Sequence, residues 1–419
     1  MNYNFHFLYT TVIRDLDEIP HPVKLLMGGV FIYMIGWGVI EPFLSIYINQ
    51  LFDSYFIVGL LFAVFFFITA VFSAPIGDLS DKAATTKIIP WLMFLYPFIA
   101  ILYFLGGSFI GFLSFFMVFT ARVIHGFAST LWVAVEAFVR QNSQAKHTAG
   151  IFGLYFTLQN LAFIIGNTIA IAAIILFGIS FSQISVLFFG LLITPVIAAL
   201  FISKIPARAE PVKTAIKEVI EKDRVFQREI ADFKRLGNIA SIVILQGYFM
   251  TALMVLGLVF LPLVAVNAKL SLVEIAVLVL AIHVPLAFSF VFSEIADRLE
   301  KFSLVSAGFF SAALILLAIA LFGENTTMLF GSALLLGIIF AILQPTVNAL
   351  LTEITPFEES GEMTGIFHSV VGISNAINAL LIGTLASLFG ISFPFIAFAF
   401  LFLLMAIVSL RHRRSSAIS

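Results

Sequence analysis

Residues 55–77 read YFIVGLLFAVFFFITAVFSAPIG and contain no charged side chain. The polar stretch Asp78-Leu79-Ser80-Asp81-Lys82 follows directly. A transmembrane helix needs about 20 mainly apolar residues, so this run is long enough to cross a bilayer. The charges after it mark the point where the chain leaves the membrane. Similar apolar runs recur along the whole chain.

Composition excludes most soluble classes of protein. Of the 419 residues, 61% are hydrophobic and 11% are charged, whereas a soluble domain carries about 25% charged residues. The net charge of −1 disfavours a nucleic-acid binder. Cysteine is absent, which excludes disulfides and thiolate metal sites, and no G-x-x-x-x-G-K-[ST] phosphate loop is present. We therefore predict a membrane protein that is neither an enzyme nor an ATP-driven pump and that has no metal or cofactor.

The fold class predicted from the apolar pattern is an all-α membrane protein with twelve transmembrane helices. Only Gly106-Gly107-Ser108 separates the third segment from the fourth, and only Gly390 separates the last two. The predicted spans are 23–49, 55–77, 88–105, 109–139, 150–177, 182–203, 239–265, 272–295, 303–322, 327–351, 362–389 and 391–410.

Charge predicts the orientation. An even number of spans places both termini on one side of the membrane. Nineteen of the 22 Lys and Arg residues lie at the termini or in the even-numbered gaps, and Lys24 is the second residue of span one, next to the N-terminal tail. Lys269 lies in an odd-numbered gap and Arg122 within a span. Cytoplasmic loops are enriched in Lys and Arg, so we predict cytoplasmic termini. The short loops are typical of a prokaryotic inner (plasma) membrane protein.

The chain divides into two related halves. Residues 204–238 carry nine basic and six acidic residues. They form a predicted amphipathic linker between bundles at 23–203 and 239–410, with tails at 1–22 and 411–419. This linker is a solvated tether or, alternatively, a gate or lipid contact. Ala149-Gly150-Ile151-Phe152 recurs as Thr364-Gly365-Ile366-Phe367. Such matches favour a six-helix repeat, which is an architecture of transporters.

The loop after span two carries a recognisable motif. Gly77, Asp81 and Lys82 resemble the first part of the loop signature G-x-L-x-D-[RK] of the major facilitator superfamily. The later glycine and bases of that signature are missing. The equivalent loop after span eight keeps Asp297 and Arg298 but has lost the glycine. The resemblance covers essentially the whole chain. It implies two pseudo-symmetric six-helix bundles that alternate access to a central cavity, with these loops latching their cytoplasmic ends, and it favours a monomer.

Span four carries a polar stripe. Steps of three and four residues put its members on one helical face, which cannot face lipid because a charge at the bilayer centre costs about 2.5–3.5 kcal/mol. The core of this stripe resembles the R-x-x-Q-G motif of the family's proton-linked exporters, with histidine replacing glutamine. The resemblance implies that the arginine takes part in proton coupling; alternatively, it is a structural pin. The last two residues of the stripe, Glu136 and Arg140, lie near the cytoplasmic boundary and are expected to belong to the latch. The stripe consists of Arg122, His125, Ser129, Trp132, Glu136 and Arg140.

Glu41 is the carboxylate that lies deepest within a predicted span. A carboxyl group in a low-dielectric cavity is a plausible proton carrier, and Arg122 would regulate it by its charge. At a rise of about 1.5 Å per residue, Glu41 lies ~10 Å and Arg122 ~20 Å below the outer ends of their predicted helices. A direct ion pair between them therefore stays open at this stage.

Other polar residues within spans are candidates for the substrate cavity. The family places helices one, four, seven and ten around the cavity. For each amide, an interhelical hydrogen bond is the alternative role. His283 and His368 could titrate, although a lone histidine is more often a packing residue. The predicted cavity residues are Tyr33, Trp37, Ser129, Trp132, Gln246, Gln344 and Asn348.

These features predict a proton-coupled secondary transporter that exports a small amphipathic or lipophilic solute. Its partners would be that solute, protons and membrane lipids. Span five lacks the G-x-x-x-G-P-x-x-G-G motif of drug antiporters, having Gly166-Asn167 in that region, which weakens an assignment to drug export. The alternatives are an importer of a sugar or polar metabolite, a translocator of a lipid-linked substrate, and a non-transporting membrane sensor or scaffold.

Overall fold

A computed structural model describes residues 19–82, 85–142, 148–206, 238–292, 299–353 and 360–416. Within these ranges the regular elements are helices. They are α1 (His21–Phe52), α2 (Tyr55–Lys82), α3 (Thr85–Ser108), α4 (Gly111–Asn142), α5 (Thr148–Phe177), α6 (Phe181–Ile202), α7 (Asn238–Val255, Leu256–Phe260 and Leu261–Asn267), α8 (Leu272–Leu286), α9 (Lys301–Phe322), α10 (Thr326–Glu353), α11 (Ser360–Phe389) and α12 (Ser392–Ser416).

The predicted fold class is confirmed. Eleven of these helices are long and apolar enough to cross a membrane, and α8 is a shorter apolar helix. Span eight was predicted over 272–295, but α8 ends at Leu286, one residue after Pro285, and residues 293–298 lie outside the described ranges. The predicted linker and N-terminal tail also fall mostly outside these ranges, so their structure stays a prediction.

Several helices contain a break, and each break has a local cause. In α3 a turn at Phe94 and Leu95 precedes Pro97, which cannot donate a backbone hydrogen bond. In α4 the turn at Ser129 and Thr130 is tightened because Thr130 N–H donates to the carbonyl of Phe127 at 3.1 Å. Such a break changes the direction in which later side chains project.

The two ends of the molecule differ. Turns of two to four residues join the helices at one end, which we call the turn end: 53–54, 109–110, 178–180, 268–271, 323–325 and 390–391. The other end, where α1 begins and α12 ends, we call the basic end. Gly390 has a φ of +88°, which confirms the predicted break there. The break expected at 106–108 lies instead at 109–110, because Gly106 stays helical and packs against Val118 and Tyr47.

The six N-terminal and six C-terminal helices form two bundles that meet along α2 and α11. Glycines let these two backbones touch: a Cβ on Gly59 would lie 2.8 Å from the Cα of Gly383, and one on Gly365 would lie 2.7 Å from the carbonyl oxygen of Ser73. Gly372 contacts Ala70 between these points. This glycine seam therefore runs from near the turn end towards the basic end.

Helices α5 and α8 form a second contact between the halves. Asn167 donates a hydrogen bond to the carbonyl of Ala276 at 3.0 Å. At the turn end, Asn267 of α7 also donates to the Tyr55 hydroxyl of α2 at 2.9 Å. The two halves are thus in contact through α5 with α8 and through α2 with α7, in addition to the glycine seam.

Candidate functional site

Glu41 faces the opposite half of the molecule. Its Oε2 lies 4.0 Å from Nε2 of His283 on α8, within the distance of an ion pair. The His283 side chain is 7% exposed and the Glu41 side chain 23%. One side of the carboxylate is thus against the C-terminal half, while the other stays accessible. This acid and this imidazole form a titratable contact between the two bundles.

The surroundings of His283 fix how it meets Glu41. Its Nδ1 lies 3.0 Å from the carbonyl oxygen of Val279, which can only accept a hydrogen bond, so Nδ1 carries a proton. In the neutral imidazole Nε2 is then the acceptor, and it faces Glu41. The ring stacks on Phe163 of α5 with centroids 3.8 Å apart. The backbone of Phe163 in turn packs on Gly38 of α1. The imidazole is therefore held in place by both halves.

The depth of these groups explains the pairing. Glu41 lies eleven residues before the end of α1, and His283 lies eleven residues after the start of α8. Both are therefore ~16 Å from the turn end. Arg122 also lies eleven residues into α4, at the same depth. The difference in depth expected from the sequence disappears because α1 extends to Phe52 and α4 begins at Gly111.

Arg122 nevertheless does not pair with Glu41, because it points into the N-terminal bundle. Its Nε donates to the carbonyl of Leu61 at 2.9 Å, and Nη1 lies 3.4 Å from the Tyr103 hydroxyl. Its guanidinium carbon sits 4.2 Å and 4.4 Å from the ring centroids of Phe62 and Phe65. The side chain is almost fully buried. The direct pair left open by the sequence is thus not formed here, and these contacts fit a structural pin.

We expect Arg122→Lys to lower the stability of the protein by about 1.5–3 kcal/mol, the usual value of a hydrogen bond to a charged group. A lysine can neither reproduce the Nε bond to Leu61 nor stack between two rings. Thermal unfolding in detergent measures the change, with the exposed Arg411→Lys as a control of the same chemistry. An unchanged midpoint for Arg122→Lys would contradict the structural role.

The polar stripe of α4 is divided by the break at Ser129. Towards the turn end, His125 and Ser129 are buried among aromatic rings of the N-terminal bundle. The His125 ring lies 5.0 Å from Trp37 and 5.4 Å from Tyr96. Ser129 Oγ is 3.5 Å from the Tyr96 hydroxyl. Beyond the break, Trp132 still packs on Tyr33 of α1, whereas Glu136 contacts the other half. The two parts of the stripe therefore make different contacts, although the spacing of their residues predicts one continuous helical face.

Beyond the break, Glu136 meets the C-terminal half through a second histidine. Its Oε2 lies 3.3 Å from Nε2 of His368 on α11, with side chains 14% and 21% exposed respectively. Beside the pair, Ser369 donates to the carbonyl of Ala70 on α2 at 2.8 Å. The described part of the chain therefore includes two contacts of the same kind. In each, the N-terminal half supplies the acid and the C-terminal half supplies the histidine.

The predicted latch is described in part. Gly77 is buried, and Asp81 accepts a hydrogen bond from Gln141 of α4 at 3.1 Å. Arg140 lies four residues after Glu136, on the same face of α4. The side chain of Lys82 and both Asp297 and Arg298 lie outside the described residues. A latch between the two motif loops thus stays a prediction.

The remaining predicted cavity residues are dispersed. Tyr33 packs edge-on against Tyr96 and Trp132, with centroids 5.0 Å and 5.6 Å away. Gln246 is fully buried and donates to Ser409 of α12 at 3.0 Å. Such an interhelical bond was its alternative role. Trp37, Trp132 and Gln344 are partly exposed, whereas the side chain of Asn348 lies outside the described residues.

Comparisons with known proteins identify the family. The sequence model of the Major Facilitator Superfamily matches residues 26–327 and 242–418, which together cover nearly all of the chain. The chain belongs to this family. As a Major Facilitator Superfamily member it is a secondary transporter of the membrane, which confirms the resemblance found in the loop after span two.

Individual relatives in the superfamily are distant. An uncharacterized MFS-type transporter of Methanocaldococcus jannaschii is 22% identical over 385 residues, covering 90% of this chain and 94% of the relative. The proton-coupled antiporter flippase LtaA of Staphylococcus epidermidis is 25% identical over 344 residues, 78% of each chain. The crystal structure of the human organic anion transporter MFSD10 superposes with a TM-score of 0.65 at 14% identity, covering 93% of this chain and 100% of that one. This likeness shows the fold.

Proposed function

We propose that this protein is a proton-coupled secondary transporter that works by alternating access and exports a small amphipathic or lipophilic solute. The observation that carries the proposal is the contact between Glu41 and His283 across the two halves. In alternating access the halves separate at one end and close at the other. A titratable contact between them therefore links the binding of a proton to the movement.

The proton arithmetic of this pair favours coupling. With one proton, the pair is a neutral carboxylic acid facing an imidazole, or a carboxylate facing an imidazolium. With no proton on the pair, a carboxylate faces the lone pair of Nε2. With two protons, a neutral carboxylic acid faces a buried imidazolium that lacks a counter-charge. The unprotonated and the doubly protonated states are both costly in a low-dielectric site. One proton thus stabilises contact between α1 and α8, while a change in proton number favours separation. A single water molecule can bridge the 4.0 Å gap.

The surroundings of Glu41 favour an amphipathic or lipophilic solute. The partly exposed neighbours of the site on α1 and α4 include Trp37 and Trp132, which offer large apolar faces. A sugar importer would need more hydrogen-bonding groups here, and Gln246 is engaged with α12. We further propose that both termini are cytoplasmic, in a prokaryotic plasma membrane, because nearly all Lys and Arg residues outside the spans lie towards the basic end.

A lipid-linked substrate is the second candidate. The relative LtaA is named a flippase. In addition, an apolar groove of about 400 Å³ opens on the membrane-facing side between α2, α4 and α11. It is lined by Phe67, Phe119 and Ile377, among others. A groove of this kind suits an acyl chain while the polar head occupies the space between the halves.

The test is a transport assay in liposomes that contain a pH-sensitive dye. Lipophilic cations, sugars and lipid-like amphiphiles are added in turn under an imposed proton gradient. Wild type is compared with Glu41→Gln and with Glu274→Gln. Glu274 is an exposed acid that caps α8 through Ser271, and glutamine can keep that cap.

We expect one class of compound to move protons in wild type and in Glu274→Gln but not in Glu41→Gln. Response to amphiphiles alone would select the lipid-linked substrate, and response to sugars alone would overturn the proposed substrate class. Equal proton movement in wild type and Glu41→Gln would overturn proton coupling through Glu41. If a compound binds to the protein but moves no protons in wild type or in either variant, a facilitator or a sensor would be favoured.

A further inference from the structure

The contact between Glu136 and His368 lies far from the pair that Glu41 forms. Glu136 is 25 residues into α4 and His368 is 21 residues before the end of α11. At the helical rise, this places them ~30–37 Å from the turn end, against ~16 Å for Glu41 and His283. The two titratable contacts are therefore separated by roughly half the thickness of the membrane core.

The structure around the second pair holds it at the junction of the halves. The α11 backbone next to His368 is fixed on α2 by the hydrogen bond from Ser369 to Ala70. Gly365 and Gly372 bring the two helices into contact on either side of this point. His368 Nε2 is sealed from solvent and lies on the side of Glu136. Separation of α4 from α11 would break this contact.

Charges near the pair determine which protonation state closes it. Arg140 lies one helical turn after Glu136 on α4, so its positive charge is on the same face as the carboxylate. Tyr155 of α5 lies near Glu136, and α2 presents the uncharged Ala70 and Ser73 to α11. A protonated His368 forms an ion pair with Glu136, whereas a neutral one leaves the carboxylate facing a weak partner.

We infer that Glu136 and His368 form a second proton-binding site, which holds the basic end closed when His368 carries a proton. The site takes its proton from the aqueous phase at the basic end. Its contribution to closure is present while His368 carries the proton and is lost when the proton leaves. The inference adds a site to the proposed function and does not depend on proton binding at Glu41.

The experiment measures the conformation directly and needs no substrate. Because the chain lacks cysteine, spin labels can be attached at introduced cysteines without background. Lys204→Cys after α6 and Arg411→Cys on α12 are exposed positions near the basic end, one in each half. Distances between the two spin labels are measured by double electron–electron resonance in lipid nanodiscs from about pH 5 to 8.

Three variants separate charge from packing. His368→Gln keeps a polar side chain without a titratable charge, and we expect it to lower the ratio of closed to open molecules at low pH by about five-fold or more. His368→Arg carries a permanent charge and should keep the end closed at every pH tested. Glu136→Gln should remove the pH dependence as His368→Gln does.

The results distinguish a proton-binding site that closes the basic end from a contact that only packs the helices together. Loss of the pH-dependent distance in His368→Gln and a closed end at all pH values in His368→Arg would support the site. A distance that still changes with pH in His368→Gln would overturn the proposed site. So would an open basic end in a His368→Arg protein that is correctly folded. Glu41→Gln in the same labelled protein should retain the response of the basic end. The second site can thus fail while proton coupling at Glu41 stands, and the reverse.

Discussion

Leucine in place of Gly59 should hold the halves apart near the turn end and abolish transport. A Cβ on Gly59 would lie 2.5 Å from the carbonyl oxygen of Ala379 and 2.8 Å from the Cα of Gly383. These are backbone atoms, which cannot rotate away as a side-chain tip can. Overpacking of this kind costs about 1–3 kcal/mol, which corresponds to about a 5- to 150-fold fall in the population that is closed at this end.

Labels at Ile110→Cys and Glu324→Cys, which lie in turns of opposite halves, report the opening of the turn end. Gly331→Leu is the matched control, because a Cβ at Gly331 meets no atom within 4 Å. We expect a longer distance and lost transport for Gly59→Leu and neither for Gly331→Leu. A normal distance in Gly59→Leu would show that the seam can separate locally without moving the halves.

Removal of either partner of the Glu41–His283 contact should abolish the response of the turn end to pH. Because one proton favours contact and both zero and two disfavour it, the closed fraction in wild type should pass through a maximum with pH. Glu41→Gln and His283→Gln each remove this maximum. The double variant should then be no worse than the single ones, with a coupling free energy of about 0.5–3 kcal/mol.

The same pair of labels at the turn end measures this double-mutant cycle. Glu274→Gln combined with His283→Gln serves as the control cycle, since Glu274 is at the cap of α8 and makes its contacts with Ser271. Its effects should add. Additive effects for Glu41 and His283 would mean that the two groups act independently, and His283 would then be a packing residue.

The amino-acid sequence predicts the helices well because apolar length is a direct consequence of bilayer thickness. It also predicts that Glu41 and Glu136 matter, because a carboxylate within a span is costly. It does not predict their partners. The partner of a charge depends on the direction in which each helix turns its side chains, and a break such as that at Ser129 changes that direction within one helix.

His283 and His368 show where a missing signal could have been found. The sequence suggests packing for each, because a lone histidine within a span is more often a packing residue. Matching depths would have helped: His283 lies eleven residues after the predicted start of span eight, at the depth that Glu41 has in the observed α1. The sequence places Glu41 too close to the surface because span one is predicted to end at 49, three residues before the observed end of α1 at Phe52.

The π-helical segment at Leu256–Phe260 has a mechanical consequence for α7. Here the backbone leaves the regular α-helical hydrogen-bonding pattern, and Pro262 follows without a donor of its own. Beyond the segment, Asn267 is bonded to Tyr55 of the N-terminal half, while before it Tyr248 and Thr251 accept from Asn378 of α11. The helix is therefore anchored to different halves on either side of its weakest point. Bending at this point would open the space between the halves over about 10 Å from the turn end, without movement of the rest of either bundle.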